Sequence, residues 1–194
     1  MNDTPRLTAE QFASTKFDLP EGGRWSELVA GRVETLDPPD MGHGTFVLNL
    51  SKALASYLHK TDVETAGYAC FELGLVVARN PDTVRCPPMS YFSASDRFSE
   101  ADKLVTETRP ALVVEIASTN IRRRQLSRRV EEFLELGVEM IWVADPNPQV
   151  VHVIRPGRDN KRLAAHQTLI GSPVLGGFSI RVAELFAVPR WWSG

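Results

Sequence analysis

The sequence predicts an α/β (α+β) protein built on a mixed β-sheet flanked by helices. Three observations carry this expectation. "ALVVEIAS", residues 111–118, reads as a buried strand, since seven of its eight residues are small or apolar. It runs into the helical stretch "RRQLSRRVEEFLEL" and then a second apolar strand, "EMIWVADP". Such a strand–helix–strand unit asks for a right-handed crossover between parallel neighbours. Further short apolar segments separated by turn chemistry supply antiparallel partners.

In chain order, "RLTAEQFAST" offers Thr8 as an N-cap and apolar positions suited to one short helix. "RWSELVAGRVETLD" alternates on either side of Ala30-Gly31, which suggests two short strands and a tight turn. In "PPDMGHGTFVLNLSKALASYLHK", Phe46, Leu50, Leu54 and Leu58 recur every four residues as a helical stripe, and Pro38-Pro39 bar an earlier start. "YACFELGLVVAR" reads as one strand, "NPDTV" as a turn, "MSYFSAS" as a short strand and "DRFSEADKLVTETRP" as a polar excursion. The helix after "ALVVEIAS" is expected over 123–136 and to stop at Gly137, which suits a left-handed C-terminal position. "EMIWVADP" and "VVHVIRP" should pair as a hairpin around "NPQ". The tail "VLGGFSIRVAELFAVPRWWSG" gives a last short helix or strand, and Trp191-Trp192 either pack on the domain or face a partner.

At 194 residues, with 43% hydrophobic and 24% charged residues, one domain over 1–194 is the simplest expectation. A net charge of −2 excludes a generally basic coat, so any nucleic-acid contact has to be local. Cys70 and Cys86 have no CxxC partner, so neither a zinc site nor a disulfide framework is indicated. "MNDTPRLTAE" lacks the pattern of a signal peptide, and no apolar run is long enough to span a bilayer. The expected location is cytoplasmic, without membrane association.

Taken together, "ALVVEIAS…RRVEEFLELGVEMIWVADP", "SELVAGRVE", a His43 opening the first long helix, "NPDTVRCPPMSYF" and "VLGGFSIRVAELF" appear in an order that resembles the Uma-two family of restriction-endonuclease-like proteins, within the PD-(D/E)XK nuclease superfamily. The resemblance covers about residues 6–187. It implies a restriction-endonuclease-like core, a DNA partner, and phosphodiester hydrolysis assisted by Mg²⁺ or Mn²⁺. Such ions neutralise developing charge and activate water, and they take oxygen ligands from one or two carboxylates. Two-strand cleavage would also suit a symmetric homodimer.

On this resemblance Glu115 is a metal ligand and Glu27, in "SELVAG", a further one. The second main acid is expected as an Asp after a proline, but "RCPPMSYF" places Pro88 there. Asp82, in "NPDTV", falls in the turn before the strand and reads as a decoy. The catalytic lysine is expected on the following helix, where "RVEEFLELGV" places Arg129; the conventional position two residues after the glutamate is Ala117. Both departures point towards a degraded active site, so the alternative function is a catalytically inactive nuclease fold that binds nucleic acid or a protein.

Glu115 therefore has two main explanations. It holds a metal, or it is a buried carboxylate paired with Arg129, since an unpaired buried carboxylate is costly; an exposed strand end is the remaining one. Arg122, Arg123, Arg124, Arg128 and Arg129 fall within eight residues, and positive charge at a helix start opposes the macrodipole. Arg122–Arg124 are candidates for phosphate contact, as is His43, against a solvated face with Arg128–Glu132 pairing and a His that is only a polar residue at a helix start.

Overall fold

A computed structural model of the chain describes residues 6–62, 66–93, 99–100, 102–189 and 191. Thr8 opens α1 (Ala9–Thr15) with a reciprocal cap: its hydroxyl accepts from the Gln11 amide, and the Gln11 side chain accepts from the Thr8 amide. β1 (Ser26–Val29) and β2 (Arg32–Thr35) form the expected hairpin, with Ala30 and Gly31 both at positive φ, as a tight two-residue turn requires. α2 (Met41–Leu58) is capped by Asp40, whose carboxylate accepts from the His43 amide.

"YACFELGLVVAR" is two strands rather than one. Glu72 takes a left-handed conformation (φ 53) and turns the chain between β3 (Tyr68–Cys70) and β4 (Gly74–Ala78), which enter different sheets. After the turn come β5 (Thr83–Arg85) and β6 (Met89–Phe92). The final "AS" of "MSYFSAS" and part of the polar excursion lie outside the described residues; the rest of the excursion holds the two-residue β7 (Val105–Thr106). β8 (Leu112–Ile116), α3 (Asn120–Leu136), β9 (Met140–Asp145) and β10 (Val150–Ile154) follow as expected. α3 starts earlier than residue 123 because Thr119 caps it by accepting from the Arg122 amide, and it ends at Gly137 with φ 89. β11 (Lys161–Leu163), β12 (Thr168–Ile170), β13 (Ser179–Arg181) and α4 (Val182–Phe186) complete the chain.

The sheets are mixed. One has order β11-β10-β9-β8-β6-β3, with β8 and β9 parallel and the other pairs antiparallel. The second has order β2-β1-β5-β4-β7, parallel only at β4/β7. Alternation along β8 and β9 sorts the core. Leu112, Val114, Ile116, Met140 and Trp142 pack with Phe46 and Leu50 of α2 and Leu185 of α4. Val113, Ile141 and Val143 face the other way, onto Phe133 of α3 and Leu75 of β4. Each such fully buried large side chain stabilises the fold by roughly 1.5–3 kcal/mol. Among the described residues, no helix is long and apolar enough to cross a membrane.

Candidate active site: a carboxylate–guanidinium network beside a cleft

Glu115 follows Val113 by two residues, so its side chain leaves β8 on the α3 side. There it meets Arg129, one helical turn before Phe133. Arg129 Nε and Nη2 both donate to Glu115 Oε1, at 3.0 and 2.7 Å. Its remaining nitrogen, Nη1, donates to Glu27 Oε2 at 2.6 Å. Glu27 reaches this point from β1 in the other sheet, and is fully buried.

The network continues through a residue that the sequence reading did not single out. Arg85 on β5 donates to Glu27 Oε2 at 3.0 Å and grips both oxygens of Glu132 on α3, at 2.6 and 3.0 Å. The Cys86 amide closes on Glu27 Oε1 at 2.7 Å. Arg128 joins at the surface, donating to Glu132 at 2.9 Å in the expected i,i+4 pair. One chain of charge-assisted bonds thus ties β8, α3, β1 and β5 together.

Burial pushes both central carboxyls upward, but with different outcomes. For Glu27 the charges of Arg129 and Arg85 and the Cys86 amide outweigh desolvation, so its pKa lies below the ordinary value. For Glu115 desolvation, reinforced by the Glu27 charge, outweighs the one guanidinium it shares, so its pKa lies above it. Arg129 is desolvated too, yet the two carboxylates hold its proton more firmly than usual.

Glu27 also lines a cleft of about 200 Å³ bordered by His43, Pro88, Arg122, Trp25 and Lys16. The antiparallel register Met89↔Val114 sets position 88 opposite Glu115, so Pro88 occupies the place where a second acid would face it. His43 is 5% exposed and its Nδ1 has no partner among the described residues. Desolvation first, then the Arg122 charge, lower its pKa to about 4, so it is neutral at pH 7. Arg122 is 8% exposed; Nη2 donates to the Asp37 carbonyl at 3.3 Å, while Nε is without a partner among the described residues.

The arginine cluster therefore divides by helical position. Arg122 and Arg129, seven residues apart, face inward with Leu126 and Phe133. Arg123 instead pairs with Asp145 at 2.6 Å, and Arg124 is exposed away from the cleft lining. Asp82 accepts from the Ala9 amide, the Asn80 amide and Arg79, fastening α1 to the turn before β5; it does not line the cleft. Trp191 is exposed, and Trp192 lies outside the described residues. Arg85 and Lys16, whose Nζ donates to Cys86 Sγ at 3.4 Å, carried no local signal beyond a charge next to apolar neighbours.

A family model described as Uma2, "Putative restriction endonuclease", matches residues 10–183. Among solved structures, the chain is similar to a "putative nuclease belonging to DUF820" from Anabaena variabilis ATCC 29413, with a TM-score of 0.74 and 20% identity over 93% of this chain and 97% of that one. That likeness is one of fold: a restriction-endonuclease-like core with mixed sheets flanked by helices. No curated protein matches the chain.

Proposed function

The chain belongs to the Uma2 family, described as putative restriction endonucleases, and from that premise we propose a nuclease-like phosphodiester site in which a guanidinium stands where a divalent cation would be held. On this reading the protein binds nucleic acid and does not cut it with Mg²⁺ or Mn²⁺. The observation that carries the proposal is the Arg129 side chain, shared between Glu27 and Glu115.

The donor set does not fit the metal that the family implies. Mg²⁺ needs near-octahedral oxygen ligands. Both Glu27 oxygens are already taken, by Cys86, Arg85 and Arg129, and Glu115 Oε1 accepts twice from Arg129. Pro88 offers no side-chain oxygen opposite Glu115. Among the described residues, no three His, Cys, Asp or Glu side chains gather as a metal site. A cation would have to displace a buried guanidinium from two carboxylates, which is costly. The residues left to act on a phosphodiester are Arg122 and His43, at the cleft wall. Arg123 is held by Asp145, which leaves the exposed Arg124 as an outer phosphate contact away from the cleft lining.

The test is nicking of supercoiled plasmid with Mg²⁺ or Mn²⁺ by the native chain and by Glu115→Ala, beside binding of labelled nucleic acid. No nicking by either, with salt-sensitive binding by the native chain, is expected. Metal-dependent nicking that Glu115→Ala abolishes would overturn the proposal. It would favour a second reading, a working endonuclease, which has in its support the convergence of two carboxylates from different sheets beside an open cleft. The double change Pro88→Asp with Arg129→Lys should then introduce or raise metal-dependent nicking, because it restores an acid opposite Glu115 and a cation that releases a carboxylate more readily.

A further inference from the structure

We propose that the cleft and its neighbour form one groove for single-stranded nucleic acid, with unpaired bases stacking on Phe17, Phe71 and Trp25 and phosphates meeting Arg122, Lys16 and Lys103. This deepens the nucleic-acid reading above and rests on it.

The cleft of about 200 Å³ adjoins a second of about 270 Å³, and the two share Lys16, Glu72 and Leu104 in their walls. Cations occur along the whole length: Arg122 at one end, Lys16 where the clefts meet, and Lys103 at the other. Aromatic rings stand beside them without being covered. Phe17 is 69% exposed, Phe71 is 44% exposed, and Trp25 is half-buried. A water-facing phenylalanine at a groove wall offers a flat apolar face, which suits a base and has no use for a backbone phosphate. Paired bases in a duplex are stacked on one another and cannot reach such rings; unpaired bases can.

Two deeply buried polar side chains at the Arg122 end point to a ligand. His43 Nδ1 and Arg122 Nε have no hydrogen-bond partner among the described residues, and buried polar groups are nearly always paired. A phosphate or sugar oxygen arriving there would accept from Arg122, and a sugar hydroxyl would donate to His43. Three acids also line the groove, and one of them, Glu27, is already held by Arg129 and Arg85. Glu100 is buried and bound to Lys103 at 3.1 Å, while the half-exposed Lys103 ammonium keeps further N–H donors for a phosphate. Glu72 lies where the clefts join, repels a phosphate, and accepts from a base amino group. At that junction a base should therefore sit against Glu72 and the backbone phosphate against Lys16.

The groove wall is held in an uncommon backbone state. Trp25 and Glu72 of the wall have positive φ, at 47 and 53°, as does Glu21 (56°), next in sequence to the lining residue Gly22. Left-handed non-glycine residues cost on the order of 1 kcal/mol each and gather at binding sites.

The test is fluorescence anisotropy with labelled oligothymidylate, oligouridylate and a duplex of matched length, using the full chain. Single strands should bind about ten-fold tighter than duplex. Phe17→Ala and Phe71→Ala should each weaken single-strand binding about five-fold or more with the melting temperature unchanged, since both rings face water. Lys16→Gln should reduce the log–log salt slope by about 0.7. The two single strands, which differ in the 2′-hydroxyl and the thymine methyl, compare DNA with RNA. Duplex binding as tight or tighter, or phenylalanine variants that bind like the native chain, would overturn the groove while leaving nucleic-acid binding in place. Absence of binding to all three probes would remove both.

Discussion

Replacing Arg129 by methionine isolates the charge from the space it fills. The native side chain makes three donations, two to Glu115 and one to Glu27, at 3% exposure. Methionine keeps an unbranched chain of similar reach and leaves two buried carboxylates facing each other. Breaking a buried ion pair from one side costs about 3–5 kcal/mol. For a chain of this size that is roughly 6–20 °C in melting temperature. The loss should depend on pH in a definite sense. Without Arg129 the Glu115 carboxyl is pushed further above its unfolded value, and Glu27 loses the strongest charge that holds it below the ordinary value. A group with a raised folded pKa adds stability at low pH that disappears as pH rises through the folded pKa. The deficit of Arg129→Met should therefore be largest near about pH 8 and shrink towards about pH 5. Adding Glu115→Gln to Arg129→Met should recover much of the loss at neutral pH. Urea unfolding across pH measures all three proteins. A deficit below about 1 kcal/mol, or one independent of pH, would refute the idea that Arg129 compensates buried charge.

Other outcomes follow from the same geometry. His43 has a folded pKa near 4, below its ordinary 6.5, so its contribution to stability is present above 6.5 and is lost as pH falls towards 4. His43→Phe should flatten the stability profile over that window, by at most about 3 kcal/mol, and an unchanged profile would show that His43 titrates normally. Gly22 and Gly23 both have φ +65, but only at Gly23 would an added Cβ collide, 2.1 Å from the Lys16 carbonyl oxygen. Calorimetry should find Gly22→Ala destabilised by about 1–2 kcal/mol and Gly23→Ala by clearly more; equal losses would mean that the Lys16 contact gives way. Glu115 has a raised folded pKa, so it favours the folded state below the ordinary carboxylate range and costs stability as pH climbs through its folded value. Glu115→Gln should therefore lose less stability at about pH 8 than at about pH 4, which thermal melts at the two pH values would check.

What the sequence revealed, and what it concealed, divides along the range of the interaction. Thr8 and Gly137 mark helix ends by bonds within a few residues and were legible, whereas the Thr119 cap was missed and α3 begins three residues earlier than expected. Glu115 stood out because a charge inside an apolar strand contradicts its surroundings. The strands β7, β11 and β12 have only two or three residues, too few for alternation to register. The split between β3 and β4 depends on one left-handed Glu72 that no local pattern announces. Arg85 escaped for a related reason: its strand emerges directly from the turn chemistry of "NPDTV". Its link to Glu27 exists only because the register Leu28↔Val84 aligns two strands far apart in sequence. Arg122 and Arg129 were legible in principle, since with Leu126 and Phe133 they complete one helical stripe. Reading all five arginines as one cluster hid the fact that two of them face inward.

A buried ion network is weak evidence for stability, because well-packed apolar residues often do as well. Its effect on the cleft is a stronger reason for the residues present. Glu27, Glu115 and Glu132 bring three negative charges beneath the cleft, and Arg85, Arg129 and Arg122 bring three positive ones, with Arg128 at the edge. Two bare carboxylates would repel a phosphodiester strongly at low dielectric. In a metal-dependent nuclease the cation removes that repulsion. Here guanidiniums remove it from within the fold, and Arg122 remains at the cleft wall with a free N–H among the described residues. The same substitution that takes the carboxylates away from a metal thus keeps the cleft open to an anion. On the proposed reading, loss of cutting and retention of binding would not be separate events: both would follow from one arginine placed between two glutamates.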